Sequence, residues 1–190
     1  MALATHALLK ANVKLPVARN CKIDYNGKNK SFSGTGCLSL EILIEKAARR
    51  LTLFICGRKA LIFPIVLGSC PEGKKTREGD GRTPEGRYYV CTHNEKSKYH
   101  LSLGLSYPGP EDADGALARG EITPTQYDAI LSAHASSLRP PWDTPLGGFI
   151  MIHGGGTEGD WTAGCIALDN ADMEQLFALC RLKTPVTIVP

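Results

Sequence analysis

The stretch EILIEKAARRLTLFICGRKALIFPIVL, residues 41–67, decides the fold class. It holds three apolar runs, Glu41 to Glu45, Leu51 to Cys56 and Ala60 to Leu67. Each is rich in Ile, Leu or Phe, has strand length, and is bounded by turn signals. Cys56-Gly57-Arg58-Lys59 reads as the hairpin turn between the last two. Further along, Gly68 to Gly81 is a charged, Gly-rich loop. Arg87 to Cys91, with two Tyr and a Val, reads as a strand. His100 to Ser106 alternates Leu with Ser and Gly, which predicts period-two burial of Leu101, Leu103 and Leu105. Thr123-Pro124-Thr125-Gln126 is a capping box with Pro at the first helical position. Tyr127, Ile130, Leu131 and His134 follow at helical spacing, and Pro140 and Pro141 stop the helix. A second helix is expected with Asn170 as its cap, carrying Met173, Leu176, Phe177, Leu179 and Cys180 mostly on one face. Pro185 to Val189 reads as a terminal strand. The expected architecture is mainly β, a sandwich or barrel-like domain with two or so helices inserted in the C-terminal half, and not a βαβ winding.

Composition agrees with one domain. The chain has 190 residues, 43% of them hydrophobic and 22% charged. That is ordinary globular usage and excludes a disordered chain, a collagen or a coiled coil. The 20 Gly and 12 Pro are in excess and predict many turns. The 7 Cys are too sparse for a disulfide scaffold and odd in number, so at least one is left over if the others pair. A net charge of +3 does not by itself point to nucleic acid. Met1 to Val17 lacks the apolar core and small-residue cleavage site of a secretory signal. The longest apolar run, Ala60 to Leu67, is interrupted by Pro64 and far too short to span a bilayer. The chain thus reads as soluble. Residues 1–37, with Asn, Gly, Ser and Lys concentrated from Asn20 to Gly36, read as an N-terminal extension or small hairpin, and 38–190 as the main domain.

The chemistry concentrates between Gly147 and Leu168. Phe149 to Ile152 is an apolar strand that delivers His153 at its end, and Gly154, Gly155 and Gly156 turn the chain away. Ile166 to Leu168 is a second short apolar run starting right after Cys165. One His and one Cys are each presented at a strand edge beside bare backbone, which can approach a ligand closely. This suits nucleophilic acyl transfer. A thiolate is the nucleophile, and a neighbouring imidazole can hold it ionised as an ion pair. Backbone N–H groups of Ala163, Gly164 and Cys165 can stabilise the resulting oxyanion. The nearby acceptors able to orient the imidazole are carbonyls of the Gly154 to Gly156 turn. From spacing alone the pair reads equally well as an inert core thiol beside an ordinary Gly turn.

Ile152-His153-Gly154, followed by Trp161-Thr162-Ala163-Gly164-Cys165-Ile166, resembles the signature of the L,D-transpeptidase (YkuD-type) family: His-Gly, a variable stretch, Ser/Thr, one position, Gly-Cys. Upstream, Glu41 to Gly68 resembles its opening strands, and Thr83-Pro84-Glu85-Gly86-Arg87-Tyr88 its Thr-Pro-x-Gly-x-Tyr/Phe stretch. His100 to Pro108 looks like the strand of the YafK-like branch. The ordered set covers about residues 38 to 190. The resemblance implies a mainly β catalytic domain with the Cys in a covered groove at a sheet edge. It implies cysteine-dependent acyl transfer on peptidoglycan stem peptides, with release of terminal D-Ala and transfer to an amine, which forms a 3-3 cross-link or attaches a protein to the wall. It assigns Cys165 as nucleophile, His153 as general base, Gly154 as the backbone orienter, and the Ala163, Gly164 and Cys165 N–H groups as the oxyanion hole. No metal or organic cofactor is implied. Tyr107, Trp161 and Thr162 are candidate substrate-binding residues.

Two positions depart from the family pattern. Ala163 stands where many members have His, and Ala167 where many have Arg, which removes a cation able to bind stem carboxylates. The same acyl-enzyme with water as acceptor gives an L,D-carboxypeptidase or amidase, and a wall-binding module with a dead site is a third reading. The substrate implies an extracytoplasmic location, in periplasm or cell wall, although no export signal is visible. The partners expected are stem peptides and a wall-attached protein, with no nucleic acid and no membrane span. Among the remaining residues, Cys91-Thr92-His93 is half a zinc site by type, without a second pair at ligand spacing. Cys56 and Cys180 read as core, and Cys21, Cys37 and Cys70 as able to pair in an oxidising setting. Lys74-Lys75-Thr76-Arg77 reads as a solvated loop, or a hold on anionic wall polymer. His134 reads as a satisfied core histidine.

Overall fold

A computed structural model describes residues 39–190. The extension read over residues 1–37, with Cys21 and Cys37, lies outside them. Among the described residues there are eight strands and three helices. The strands are β1 (Leu40–Glu45), β2 (Arg50–Ile55), β3 (Arg58–Pro64), β4 (Gly86–Ser97), β5 (His100–Leu105), β6 (Met151–His153), β7 (Ile166–Ala167) and β8 (Pro185–Val189). The helices are α1 (Pro110–Ala118), α2 (Pro124–Ala135) and α3 (Asn170–Leu179), all in the C-terminal half. The strands form one curled sheet, a half-barrel, in the order β3-β2-β1-β8-β4-β5-β6-β7. Only the β1/β8 and β6/β7 pairs are parallel.

The three apolar runs at the start become β1 to β3, the strands the sequence predicts. Alternation sends Ile42 and Ile44 of β1, and Leu51 and Leu53 of β2, to the core. Val186 and Ile188 of β8 join them, and each fully buried Leu or Ile contributes about 1.5–3 kcal/mol. Cys56 and Gly57 form the two-residue loop between β2 and β3, both at positive φ (50° and 71°), the twist a tight hairpin requires. Cys56 is therefore exposed at a turn and not in the core, while Cys180 is buried as expected. Beyond β3 the chain continues to Val66, which exchanges backbone hydrogen bonds with Ala167 of β7 at 3.0 and 2.9 Å. The first hairpin is thereby fastened to the last strand of the sheet.

Three expectations are corrected. Strand β5 buries Ser102 and Gly104 as well as Leu103 and Leu105, and leaves Leu101 only half-buried. Both of its faces are covered: α3 packs on it, and a side chain at Gly104 would strike Thr92, Met151 and Trp142. Helix α1 was not expected. It buries only Asp112, Ala113 and Ala116, too small a stripe to show as helical periodicity. Its signal was Pro110 at the first helical position with Glu111 and Asp112 behind it, and the Asp112 carboxylate accepts from the Gly109 N–H at 2.8 Å. Helix α3 starts one residue earlier than read: Asp169 is its N-cap and Asn170 already helical. Helix α2 has the predicted cap, with Thr123 Oγ1 accepting from the Gln126 N–H at 3.2 Å and Gln126 Oε1 from the Thr123 N–H at 2.9 Å. His134 is held as a structural histidine, its Nε2 donating to the carbonyls of Ser106 and Pro108.

Candidate active site

Strands β6 and β7 lie side by side and parallel, with Ile152 opposite Ile166 and His153 opposite Ala167. This register sets Cys165 beside Met151, two positions back from Ala167. Alternate residues share a face, so the Cys165 and His153 side chains project on the same side of the sheet edge. The proximity expected from sequence is therefore a consequence of strand pairing across the intervening Gly-rich loop.

His153 is buried. Its Nδ1 lies 2.6 Å from the carbonyl of Gly154. A carbonyl can only accept, so Nδ1 carries the proton and Nε2 holds the free basic lone pair. Gly154 is required at this position by space: a Cβ there would stand 2.5 Å from Asn170 Oδ1 and 3.1 Å from the Tyr99 carbonyl. Asn170 Oδ1 also accepts from the Gly155 N–H at 2.9 Å, tying the turn to the start of α3. Tyr99 stacks on the imidazole with ring centroids 4.6 Å apart, and Trp161 meets it edge-on at 5.6 Å.

The Cys165 thiol donates to the Phe149 carbonyl and accepts from the Met151 N–H, both at 3.4 Å. Burial pushes this thiol up from its ordinary value, against the Met151 hydrogen bond and the charges of Lys75 and Lys98. Burial pushes the His153 imidazole down, against its bond to Gly154. The two shifts favour thiol and neutral imidazole at rest, where sequence reasoning expected an ion pair.

The turn into Cys165 is built by Thr162 and Gly164. Thr162 is buried; its Oγ1 donates to the Cys165 carbonyl at 2.7 Å and accepts from the Gly164 N–H at 3.1 Å. Thr162 thus shapes the turn and has no hydroxyl valence turned outward. The Gly164 N–H is engaged by it, which leaves the N–H groups of Ala163 and Cys165 as the donors of this turn. Gly164 sits at φ 128°, and a Cβ there would come within 2.6 Å of the Arg82 carbonyl.

The other sequence candidates separate. Trp161 is 38% exposed and stands at the site. Tyr107 is fully buried, its hydroxyl donating to the Leu146 carbonyl at 3.1 Å, so it offers a ligand no surface. The run from Lys74 to Arg77 is solvated only in part: Thr76 and Arg77 are exposed, but Lys75 is buried against Asp80 at 2.8 Å and the half-buried Lys74 pairs with Asp112 at 2.8 Å. Sequence reasoning missed Tyr99, Lys98 and Phe149. Tyr99 lies in the tight turn between β4 and β5, and the Ser102–His153 register carries that turn to the imidazole. Reading the β4 strand as ending at Cys91, six residues short of its end at Ser97, hid this hairpin.

A mainly β half-barrel with a thiol and an oriented imidazole on adjoining edge strands defines a cysteine–histidine domain. The L,D-transpeptidase catalytic domain (YkuD) family model matches residues 39–188, and the chain belongs to that family. Its fold is similar to that of the helical cell shape determining protein Pgp2 from Campylobacter jejuni, at 24% identity and a TM-score of 0.54, covering 82% of this chain and 51% of that one. It is also similar to Bd1075 from Bdellovibrio bacteriovorus, at 21% identity and a TM-score of 0.52, covering 80% and 48%. The chain spans about half the length of these structures. Comparison with curated proteins returns no match. Among the described residues no helix is long and apolar enough to cross a membrane.

Proposed function

We propose that the protein is a cysteine acyltransferase acting on peptidoglycan stem peptides outside the cytoplasmic membrane. The observation that supports this best is the His153 tautomer. Nδ1 is bonded to Gly154, and Nε2 is free on the face shared with Cys165. In the proposed reaction Nε2 takes the thiol proton as sulfur attacks the carbonyl at the L-centre of a diaminopimelate-type residue. The N–H groups of Ala163 and Cys165 meet the oxyanion. The C–N bond to the terminal D-Ala breaks, and its amine leaves with the proton from the imidazolium. A thioester on Cys165 remains. An acceptor amine then loses a proton to His153, attacks the thioester and releases the thiol. Trp161 and Tyr99 form the wall a stem peptide would meet.

Defined tetrapeptide muropeptides followed by mass test this reading. Turnover with loss of D-Ala is expected, and Cys165→Ala should abolish it while leaving the thermal unfolding midpoint in place. A Cys165→Ala protein with unchanged turnover would sink the proposal. The products also identify the acceptor: 3-3 cross-linked dimers mean transfer, and tripeptides alone mean hydrolysis.

A further inference from the structure

The reactive edge is lined by rings and backbone, and among the described residues one cation without a carboxylate partner acts on it. Lys75 also acts on the thiol, but it is buried and paired with Asp80 at 2.8 Å. Lys98 is different. It is exposed in the tight turn between β4 and β5, and among the described residues no carboxylate pairs with it. Its ammonium lies 4.8 Å from the centroid of the Tyr99 ring, within reach of a cation–π attraction. The Tyr99 ring in turn stacks on His153. Lys98 and His153 are therefore linked through one ring, with an exposed charge and the proposed base both in contact with Tyr99. The charge acts on both reacting groups, behind the dominant effect of burial: it opposes protonation of His153 and favours the Cys165 thiolate.

We propose that Lys98 is a specificity-determining residue that holds a free carboxylate of the substrate against the Tyr99 side of the site. This rests on the stem-peptide reading above for the identity of the substrate, though not for the presence of a carboxylate subsite. An ammonium held on a ring face is desolvated on one side and keeps its other donors for an incoming anion. A tetrapeptide stem offers three such anions: the terminal D-Ala carboxylate, the side-chain carboxylate of the diaminopimelate-type residue and the α-carboxylate of the γ-linked glutamate. The rest of the site discriminates by shape; Lys98 discriminates by charge.

Alkylation of Cys165 reads the subsite without any wall substrate. Iodoacetate carries a carboxylate and iodoacetamide does not, and peptide mass isolates Cys165 from the other thiols. In Lys98→Gln the iodoacetate rate should fall about five-fold further than the iodoacetamide rate, which reports only the lost support of the thiolate, as expected for one charge acting across a partly screened gap. Lys98→Arg should restore the iodoacetate rate. Equal changes for both reagents, or none, would overturn the proposal. With stem tetrapeptides, the Lys98→Gln loss of kcat/KM should vanish when the engaged carboxylate is amidated. Amidating the terminal, side-chain and glutamate carboxylates separately identifies which anion is held, and a loss that survives all three amidations also overturns it. A wild-type protein that turns over no stem peptide but keeps the Lys98-dependent iodoacetate preference refutes the proposed function and leaves the carboxylate subsite standing.

Discussion

Two loops border the Cys165 turn, and both bury polar groups, but they treat them in opposite ways. The loop between β3 and β4 pairs its buried charges with one another and with residues packed against it, Lys46 from the β1–β2 turn and Asp112 from α1. Lys46 Nζ donates to Gly73 O at 2.6 Å, Thr83 O at 3.2 Å and Glu85 Oε1 at 2.6 Å. Burial raises the Asp80 carboxyl, yet Lys75 and the N–H groups of Thr76, Arg82 and Arg77 bring it below its ordinary value. Asp112 binds Lys74, the Tyr88 hydroxyl and the Gly109 N–H. At the end of β6 and in the loop to β7, where Asp160 and Thr162 are fully bonded, two polar groups are positioned but left incomplete. His153 has one nitrogen bound and one open, and Cys165 has two long sulfur contacts. The first loop is a rigid floor, and the second carries the open valences that chemistry needs. Buried polarity alone does not distinguish a scaffold from a site; the number of unfilled partners does.

That contrast can be broken by experiment at three depths. The largest effect is expected for His153→Gln, which removes the open nitrogen: turnover should fall by about 10²–10⁴ with little change in thermal stability. A similar loss of stability and activity together would mean the second loop is as structural as the first. Next comes Asp80→Asn. It strands a buried lysine, and chemical denaturation should report roughly 3 kcal/mol of lost stability, while folded protein keeps its turnover. Retained stability would show that the Lys75 charge is not held by this pair. The smallest effect is on pH. The folded His153 pKa lies below its ordinary 6.5, so between those values the unfolded chain binds the extra proton. Stability is thus fully present above about pH 6.5 and declines as pH falls toward the folded value, with a slope of at most about 1.4 kcal/mol per pH unit. Subtracting the His153→Gln profile from the wild-type profile isolates this term; identical profiles would contradict the burial argument.

The strands around the site were legible because their signal is local. Apolar runs bounded by turns produced β1 to β3, and the His-Gly and Gly-Cys pairs placed the two reactive side chains at strand ends. What was hidden depended on distant partners. Lys75 reads as a surface residue until Asp80 is known to wrap it. Tyr107 and Tyr99 are chemically alike, yet one is sealed in the core and the other stacks on His153, a choice made by strand pairing and not by neighbours in sequence. Helix α1 lacked an apolar stripe because alanine and a paired aspartate fill its inner face. The engagement of the Gly164 N–H by Thr162 could be found only in three dimensions.

The two bridges from the chain leaving β3, Val66 to Ala167 and Gly68 to Thr162, behave as a clasp. Sheets with a free end can flex by splaying their last strand, but here that strand is buttoned to the chain leaving β3. Mechanical load on the front hairpin is delivered two residues from Cys165. Strands β1 to β3, which supply no reacting atom, are accordingly joined to the strand that follows Cys165.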